Sequence, residues 1–173
     1  QIIGGGAHAK GSITIQDFMI IPNGAPDFYT ALHWVFMVYR KVGEKLFKSN
    51  NFFGVADEGG YWPNFENIFE VLDFLTDAIE ESGFKPFREV SISLDIAANN
   101  FKYNKTYQIS KNESPVSAEQ LCSQLLKVVN DYPINSERKW KIPNAGFYEF
   151  FFGFNKIKVI SWGCVDHLST KTF

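Results

Sequence analysis

The chain has 173 residues and a formal net charge of −2, with 17 Lys and Arg against 19 Asp and Glu. The length suffices for one domain with its own core, the balanced charge excludes a strongly basic nucleic-acid binder, and no run approaches the roughly 18 to 20 apolar residues of a membrane span. No basic segment leads into an apolar run, which predicts no signal peptide, and two cysteines, Cys122 and Cys164, cannot alone build a disulfide framework or a zinc site, so a cytoplasmic setting is expected.

The first predicted strand covers residues 12–21 and follows a glycine-rich loop at residues 4–9. The run is rich in isoleucine and is closed by Pro22, as is typical of a strand. With a period of two residues, Ile13 and Ile15 share a face with Asp17. If that face lies inside the protein, the Asp17 carboxylate is partly removed from water.

Two helices are predicted next. Asp27 is placed as an N-cap, and apolar residues then recur at helical spacing from Phe28 to Leu46. A loop over residues 57–64 follows, and a second amphipathic pattern covers residues 65–82. Gly83 stands where a helix typically ends.

A second strand and a third helix complete the regular pattern. Apolar and polar residues alternate from Val90 to Ile96, which predicts a strand, and residues 105–109 form a short extended piece. Ser117 and Gln120 have capping-box spacing before a third helix, which ends by Pro133. The order strand, helix, helix, strand, helix predicts an α/β fold with a partly parallel sheet, in a chain shorter than the roughly 250 residues of a complete (β/α)₈ barrel.

Three carboxylates and one histidine are the candidates for chemistry. Asp17, Glu58 and Asp95 lie at loop or strand ends, and His8 lies in the glycine-rich loop. Together they could bind a hard cation such as Mg²⁺, or supply a general acid with a raised pKa. The pattern equally allows a surface turn at residues 57–60, a strand cap at Asp95 and a loop position for His8.

A set of short motifs resembles the enolase family in order and in spacing. The resemblance covers residues 2–134 and rests on Gly4-Gly5-Gly6-Ala7-His8-Ala9, Gln16-Asp17-Phe18-Met19-Ile20, Asp57-Glu58-Gly59-Gly60, Pro63-Asn64, Leu94-Asp95-Ile96-Ala97-Ala98 and Asp131-Tyr132-Pro133-Ile134. It implies an incomplete enolase-type TIM barrel, limited to the first strands and helices. It also implies a lyase that dehydrates 2-phosphoglycerate to phosphoenolpyruvate in glycolysis, with Mg²⁺ as cofactor, and a homodimer in the intact family.

The resemblance also implies residue roles. Glu58 matches the acid that protonates the departing hydroxyl, and Asp17 stands where the family has a catalytic Glu. His8 matches the histidine of the loop that closes over substrate, and Gln16 is carried over with it as substrate-binding. Asp95 matches the first of three Mg²⁺-ligating carboxylates. Enolases use a Lys or His base with one or two Mg²⁺ ions that stabilise the enediolate.

The resemblance ends at Ile134, and no position matches the family's catalytic lysine. We therefore expect two regions, residues 1–134 from the barrel domain and a divergent tail over residues 135–173. Glu137 and Asp166 are weak substitutes for the missing metal ligands, because the pattern around Glu137 is neither apolar nor strand-like. The tail is either out of frame or a divergent helix–strand unit with residues 147–154 as its core.

Three functional hypotheses follow. The chain is one part of an enolase, a non-catalytic enolase-like polypeptide, or an interaction module that retains part of the enolase surface. Loss of a general base alone costs about 10²- to 10⁴-fold in rate, so we expect this chain by itself to be inactive. An open sheet edge also predicts marginal stability or self-association.

Overall fold

The computed structural model describes residues 1–10, 13–110 and 113–134, and the backbone of residues 147–153 and 156–164. Two compact units divide the chain, Gln1–Asn135 and Ser136–Phe173. The first residue of the predicted strand 12–21 lies outside the described residues, as do Glu137 and Asp166. The boundary at Ile134 and the origin of the tail stay predictions.

A five-stranded sheet forms the centre of the first unit, with the order β3-β4-β1-β2-β5. Its pairs are antiparallel except that β1 and β4 run parallel, so the expected partly parallel sheet is mostly antiparallel here. Strands β1 and β2 pair antiparallel, and residues 5–16 connect them. The strands are β1 Ile3–Gly4, β2 Asp17–Ile21, β3 Gly54–Val55, β4 Tyr61–Trp62 and β5 Ser91–Asp95.

The first predicted strand is wrong at its start. A separate strand, Ile3–Gly4, overlaps the expected loop at Gly4, and β2 begins only at Asp17. The Gly5 N–H donates to the Gln16 carbonyl at 2.8 Å, and a Cβ at Gly5 would lie 2.3 Å from the Ile15 carbonyl oxygen. The backbone therefore turns tightly here, and only glycine permits that close approach.

Three helices flank the sheet, and the predicted N-caps of the first and the third are confirmed. The Asp27 carboxylate accepts from the Thr30 N–H at 2.8 Å, and Ser117 and Gln120 form the reciprocal capping box. The second helix begins three residues later than expected because Asn67 caps it. The helices are α1 Phe28–Lys48, α2 Ile68–Glu81 and α3 Ala118–Asp131.

The hydrophobic core lies between one face of the sheet and the helices. Ile3, Phe18 and Ile92 are fully buried on the sheet side. The fully buried apolar residues of helix α1 lie in its C-terminal half; in its first half Trp34 and Val35 are partly buried against the core, whereas Leu32 and Phe36 are each 54 % exposed. The helix residues of the core are Val38, Val42, Leu46, Val71, Leu72, Leu75, Ala78, Ile79 and Val128.

Smaller elements complete the described structure. Residues Ala98–Phe101 form a 3₁₀ turn, and a two-residue hairpin pairs β6 Lys102–Tyr103 with β7 Thr106–Tyr107. In the second unit, β8 Phe147–Gly153 pairs antiparallel with β9 Lys156–Cys164. None of the helices in the described part of the chain is long and apolar enough to cross a membrane.

Candidate functional site

His8 lies among three carboxylates. Its Nε2 is 3.9 Å from Asp17 Oδ2 and 3.6 Å from Glu58 Oε1, and its Nδ1 is 2.5 Å from Asp57 Oδ1. The imidazole is largely buried, with 17 % of its side chain exposed, while the side chains of Asp57 and Glu58 are mostly exposed. The sequence motifs on β2, the glycine-rich loop and the turn at residues 57–60 therefore meet at one place.

Asp17 is the buried member of this group, at 4 % exposure. It opens β2, where it pairs with Gly4 on one side and with Asp95 on the other. Its side chain points to the face of the sheet opposite the core, because Phe18, the next residue, points into the core. The Gln1 amide donates a hydrogen bond to Asp17 Oδ1, which partly compensates the carboxylate for its loss of water.

The residues Asp57-Glu58-Gly59-Gly60 form a turn, here called the acid turn. The Tyr39 hydroxyl donates to the Gly59 carbonyl at 2.9 Å, and the Gly60 N–H donates to Gln1 Oε1 at 2.8 Å. Tyr39 also stacks on Tyr61 with ring centroids 4.4 Å apart. Helix α1 and Gln1 thus hold a turn whose two carboxylates remain in water.

The carboxylates set the charge of His8. Burial of the ring favours the neutral imidazole, but Asp17, Asp57 and Glu58 together favour the imidazolium more strongly, so the pKa of His8 is raised above 6.5. The site therefore favours a protonated histidine beside carboxylates. Next to the acid turn, burial and the neighbouring Tyr39 raise the pKa of Tyr61 to about 12, which keeps the Tyr61 hydroxyl neutral.

Gln16 and Asp95 lie beside the group and contact other partners. Gln16 Oε1 accepts from the Asn100 amide at 2.8 Å, and one oxygen of the exposed Asp95 carboxylate accepts from the Ala97 N–H at 3.1 Å. Because Asp17 and Asp95 are directly opposite across β2 and β5, both side chains lie on the same face of the sheet. All five predicted site residues therefore lie around one end of β2.

The ligand atoms of the site residues suit two different roles, proton transfer and binding of a metal ion. His8, Asp17 and Glu58 each offer one atom within 4.8 Å of the others, but Mg²⁺ takes oxygen ligands, which an imidazole does not supply. These three side chains suit proton transfer better than binding of a hard cation. Asp95 is exposed, and one of its oxygens bonds to the Ala97 N–H, so the other fits Mg²⁺ as a single ligand.

Three contacts of the site are missed by sequence reasoning. The sequence places Asp57 only in a turn, although it makes the shortest contact to His8. Gln1 and Tyr39 carry no signal, because neither lies in a motif with charged or nucleophilic residues. Only the tertiary arrangement brings their side chains to the acid turn.

A domain profile and two curated relatives all match this chain to the same family. The profile of the enolase C-terminal TIM barrel domain matches residues 1–143. Curated enolases from a Nitratiruptor species and from Ehrlichia ruminantium are 36 % and 38 % identical to this chain over 136 residues. Each match covers 79 % of this chain and 32 % of the relative, so the chain spans about a third of the length of these relatives.

Proposed function

Because the chain belongs to the enolase family through its C-terminal TIM barrel domain, we propose that it forms the first strands and helices of an enolase barrel. We further propose that it carries part of the site that dehydrates 2-phosphoglycerate to phosphoenolpyruvate. The observation that supports this most directly is the meeting of His8, Asp17 and Glu58 around one end of β2.

The proposed roles follow from burial and charge. Glu58 is exposed at the acid turn, so its carboxyl group can reach a substrate and, once it carries a proton, protonate the departing hydroxyl. Asp17 is buried and lies beside His8, where its negative charge favours the protonated imidazole. His8 and Gln16 then bind the substrate, since a protonated imidazole attracts the phosphate and carboxylate of 2-phosphoglycerate.

A metal ion would be held at Asp95 in this proposal. When bound, Mg²⁺ stabilises negative charge that develops on the substrate carboxylate during loss of the C2 proton. The described residues provide this one clear oxygen ligand, and the family's remaining ligands have no match within residues 1–134. A single carboxylate leaves most of the octahedral shell of Mg²⁺ to water and to other groups.

A non-catalytic role is the second candidate. It is favoured by the lack of any residue that matches the catalytic lysine, and by Asp17, whose side chain is one methylene shorter than the family's glutamate. Ångström-scale placement of a reacting group changes rates by about 10²-fold. We propose that residues 1–134 bind the substrate weakly and do not turn it over without a base supplied from outside them.

Measurements of turnover and of binding of 2-phosphoglycerate distinguish the catalytic role from the non-catalytic one. The purified chain is mixed with 2-phosphoglycerate and Mg²⁺, phosphoenolpyruvate absorbance is followed, and binding is measured by calorimetry. We expect binding without turnover, and weaker binding in His8→Gln but not in Glu44→Gln, which changes an exposed residue of α1. Turnover near that of an ordinary enzyme contradicts the proposed inactivity, and a complete lack of binding contradicts the substrate site.

The wider context is also a proposal. We place the chain in the cytoplasm, with a small-molecule substrate and with a homodimer as the assembly of the intact family. If the chain instead serves as an interaction module, it should co-purify with an intact enolase. A chain that stays unbound to enolase contradicts that alternative.

A further inference from the structure

We propose that Gln1 is a positioning residue, whose side-chain amide holds Asp17 and the acid turn in one fixed arrangement. The inference rests on the proposed function, because it assigns a role to a residue that touches no reacting group itself. Its basis is that the amide nitrogen of Gln1 contacts Asp17 on β2, whereas the amide oxygen contacts Gly60 of the acid turn.

Both ends of the amide are used. Gln1 Nε2 donates to Asp17 Oδ1 on β2, and Gln1 Oε1 accepts from the Gly60 N–H of the acid turn at 2.8 Å. An ionised carboxylate only accepts and a backbone N–H only donates, so the orientation of the amide is dictated by its neighbours. A glutamine is the right length and carries both a donor and an acceptor at its end.

The backbone around Gln1 leaves room for this contact. Ile2, the next residue, donates to the Phe18 carbonyl at 2.9 Å and accepts from the Tyr61 N–H at 2.8 Å, which places Gln1 between β2 and β4. A Cβ at Gly60 would lie 2.8 Å from Gln1 Oε1. The glycine therefore lets the amide oxygen approach the turn closely.

The consequence concerns the relative position of two carboxylates. With Oδ1 of Asp17 bound to Gln1, its Oδ2 faces His8 at 3.9 Å. With Gly60 bound to Gln1, Glu58 lies 3.6 Å from the same imidazole nitrogen. Loss of the amide should free both carboxylates, and the imidazole should lose part of their attraction.

Two variants of Gln1 separate its two hydrogen bonds. Gln1→Met removes both bonds at similar length, whereas Gln1→Glu keeps an oxygen for Gly60 and places a like charge against Asp17. Ser117→Ala is the matched control, because loss of the α3 cap destabilises the fold at a residue outside the site. All variants are compared in the complete 173-residue chain, well below their unfolding temperatures.

Two measurements report on the role of Gln1. In Gln1→Met we expect the His8 pKa, followed by NMR of the imidazole, to fall, because the two carboxylates are held less firmly beside the ring. Affinity for 2-phosphoglycerate with Mg²⁺ should fall about tenfold in both Gln1 variants, as loss of one hydrogen bond to a charged group predicts. Amide exchange at Gly60 should accelerate in Gln1→Met and stay slow in Gln1→Glu.

The outcomes distinguish this inference from the proposed function. An unchanged His8 pKa in Gln1→Met, or an equal change in Ser117→Ala, overturns the positioning role. If the wild-type chain binds no 2-phosphoglycerate but Gln1→Met still shifts the His8 pKa, the positioning role stands and the proposed substrate fails. If Gln1→Met does not fold, fast Gly60 exchange in Gln1→Glu is the result that overturns the inference.

Discussion

At the scale of single residues, the site shows how burial and charge oppose each other. His8 is largely buried, which alone would favour the neutral imidazole, yet three carboxylates reverse that preference. Asp17 is buried more completely and accepts a hydrogen bond from Gln1. Because Asp57 and Glu58 are exposed, they contribute charge while remaining hydrated, so the cluster avoids burying three carboxylates together.

The raised pKa of His8 predicts a pH dependence of stability. Its stabilising contribution is fully present below its unfolded pKa near 6.5 and is lost as the pH rises through the higher folded pKa. Between about pH 6 and pH 8, the free energy of unfolding should therefore fall in the wild type and fall less in His8→Gln. Urea denaturation across this range measures the difference.

The control for this measurement is His33→Gln, which removes an exposed histidine of α1 outside the cluster. This variant should keep the pH dependence of the wild type. Equal pH dependence in the wild type and in His8→Gln would contradict an interaction between the imidazolium and the three carboxylates.

At the scale of elements, helix α1 is packed in two different ways along its length. Val38, Val42 and Leu46 are fully buried, whereas Phe28 is 78 % exposed and Leu32 is 54 % exposed. Helical spacing therefore identifies the helix and its apolar face, but burial depends on where the sheet and α2 lie. The buried half is also the half that carries Tyr39 to the acid turn.

Two leucines of α1 provide a matched test of this difference. Leu46→Ala should lower the free energy of unfolding by about 2 to 5 kcal/mol, because it removes buried methyl groups and leaves a cavity. Leu32→Ala should change it by less than about 0.5 kcal/mol, as is usual for exposed positions. Equal losses in denaturant titrations of the two variants would show that α1 is buried along its whole length.

At the scale of the whole molecule, the sheet has open edges. In the described unit, β3 and β5 are the outer strands of the sheet. Strand β5 pairs with β2 along one side, and on its other side a single bridge joins Ile92 to Ile134. Unpaired N–H and C=O groups of an edge strand are available to another chain. The chain also spans about a third of the relatives that it matches, whose family forms a barrel.

We therefore expect self-association of the isolated chain. Sedimentation velocity should show a shift to larger species as the concentration rises, and the unfolding midpoint should depend on concentration, because association stabilises the folded state by mass action. A sharp unfolding transition of a monomer, independent of concentration, would contradict this prediction.

Local sequence signals predicted the parts of the molecule that depend on nearby residues. The caps at Asp27 and Ser117 and the turn at Gly83 follow from hydrogen bonds and backbone angles within a few residues. The short motifs identified the enolase family, and they contain the residues that lie together around one end of β2. Their catalytic and binding roles stay predictions.

The features that the sequence did not predict depend on strand pairing and burial between residues far apart in the chain. The start of β2 at Asp17, the antiparallel sheet and the exposed half of α1 depend on segments far apart in the chain. Gln1 has no signal in the sequence, since an isolated glutamine acquires a role only when the fold places it between Asp17 and Gly60. Periodicity shows which residues share a face, but only the packed fold shows what that face contacts.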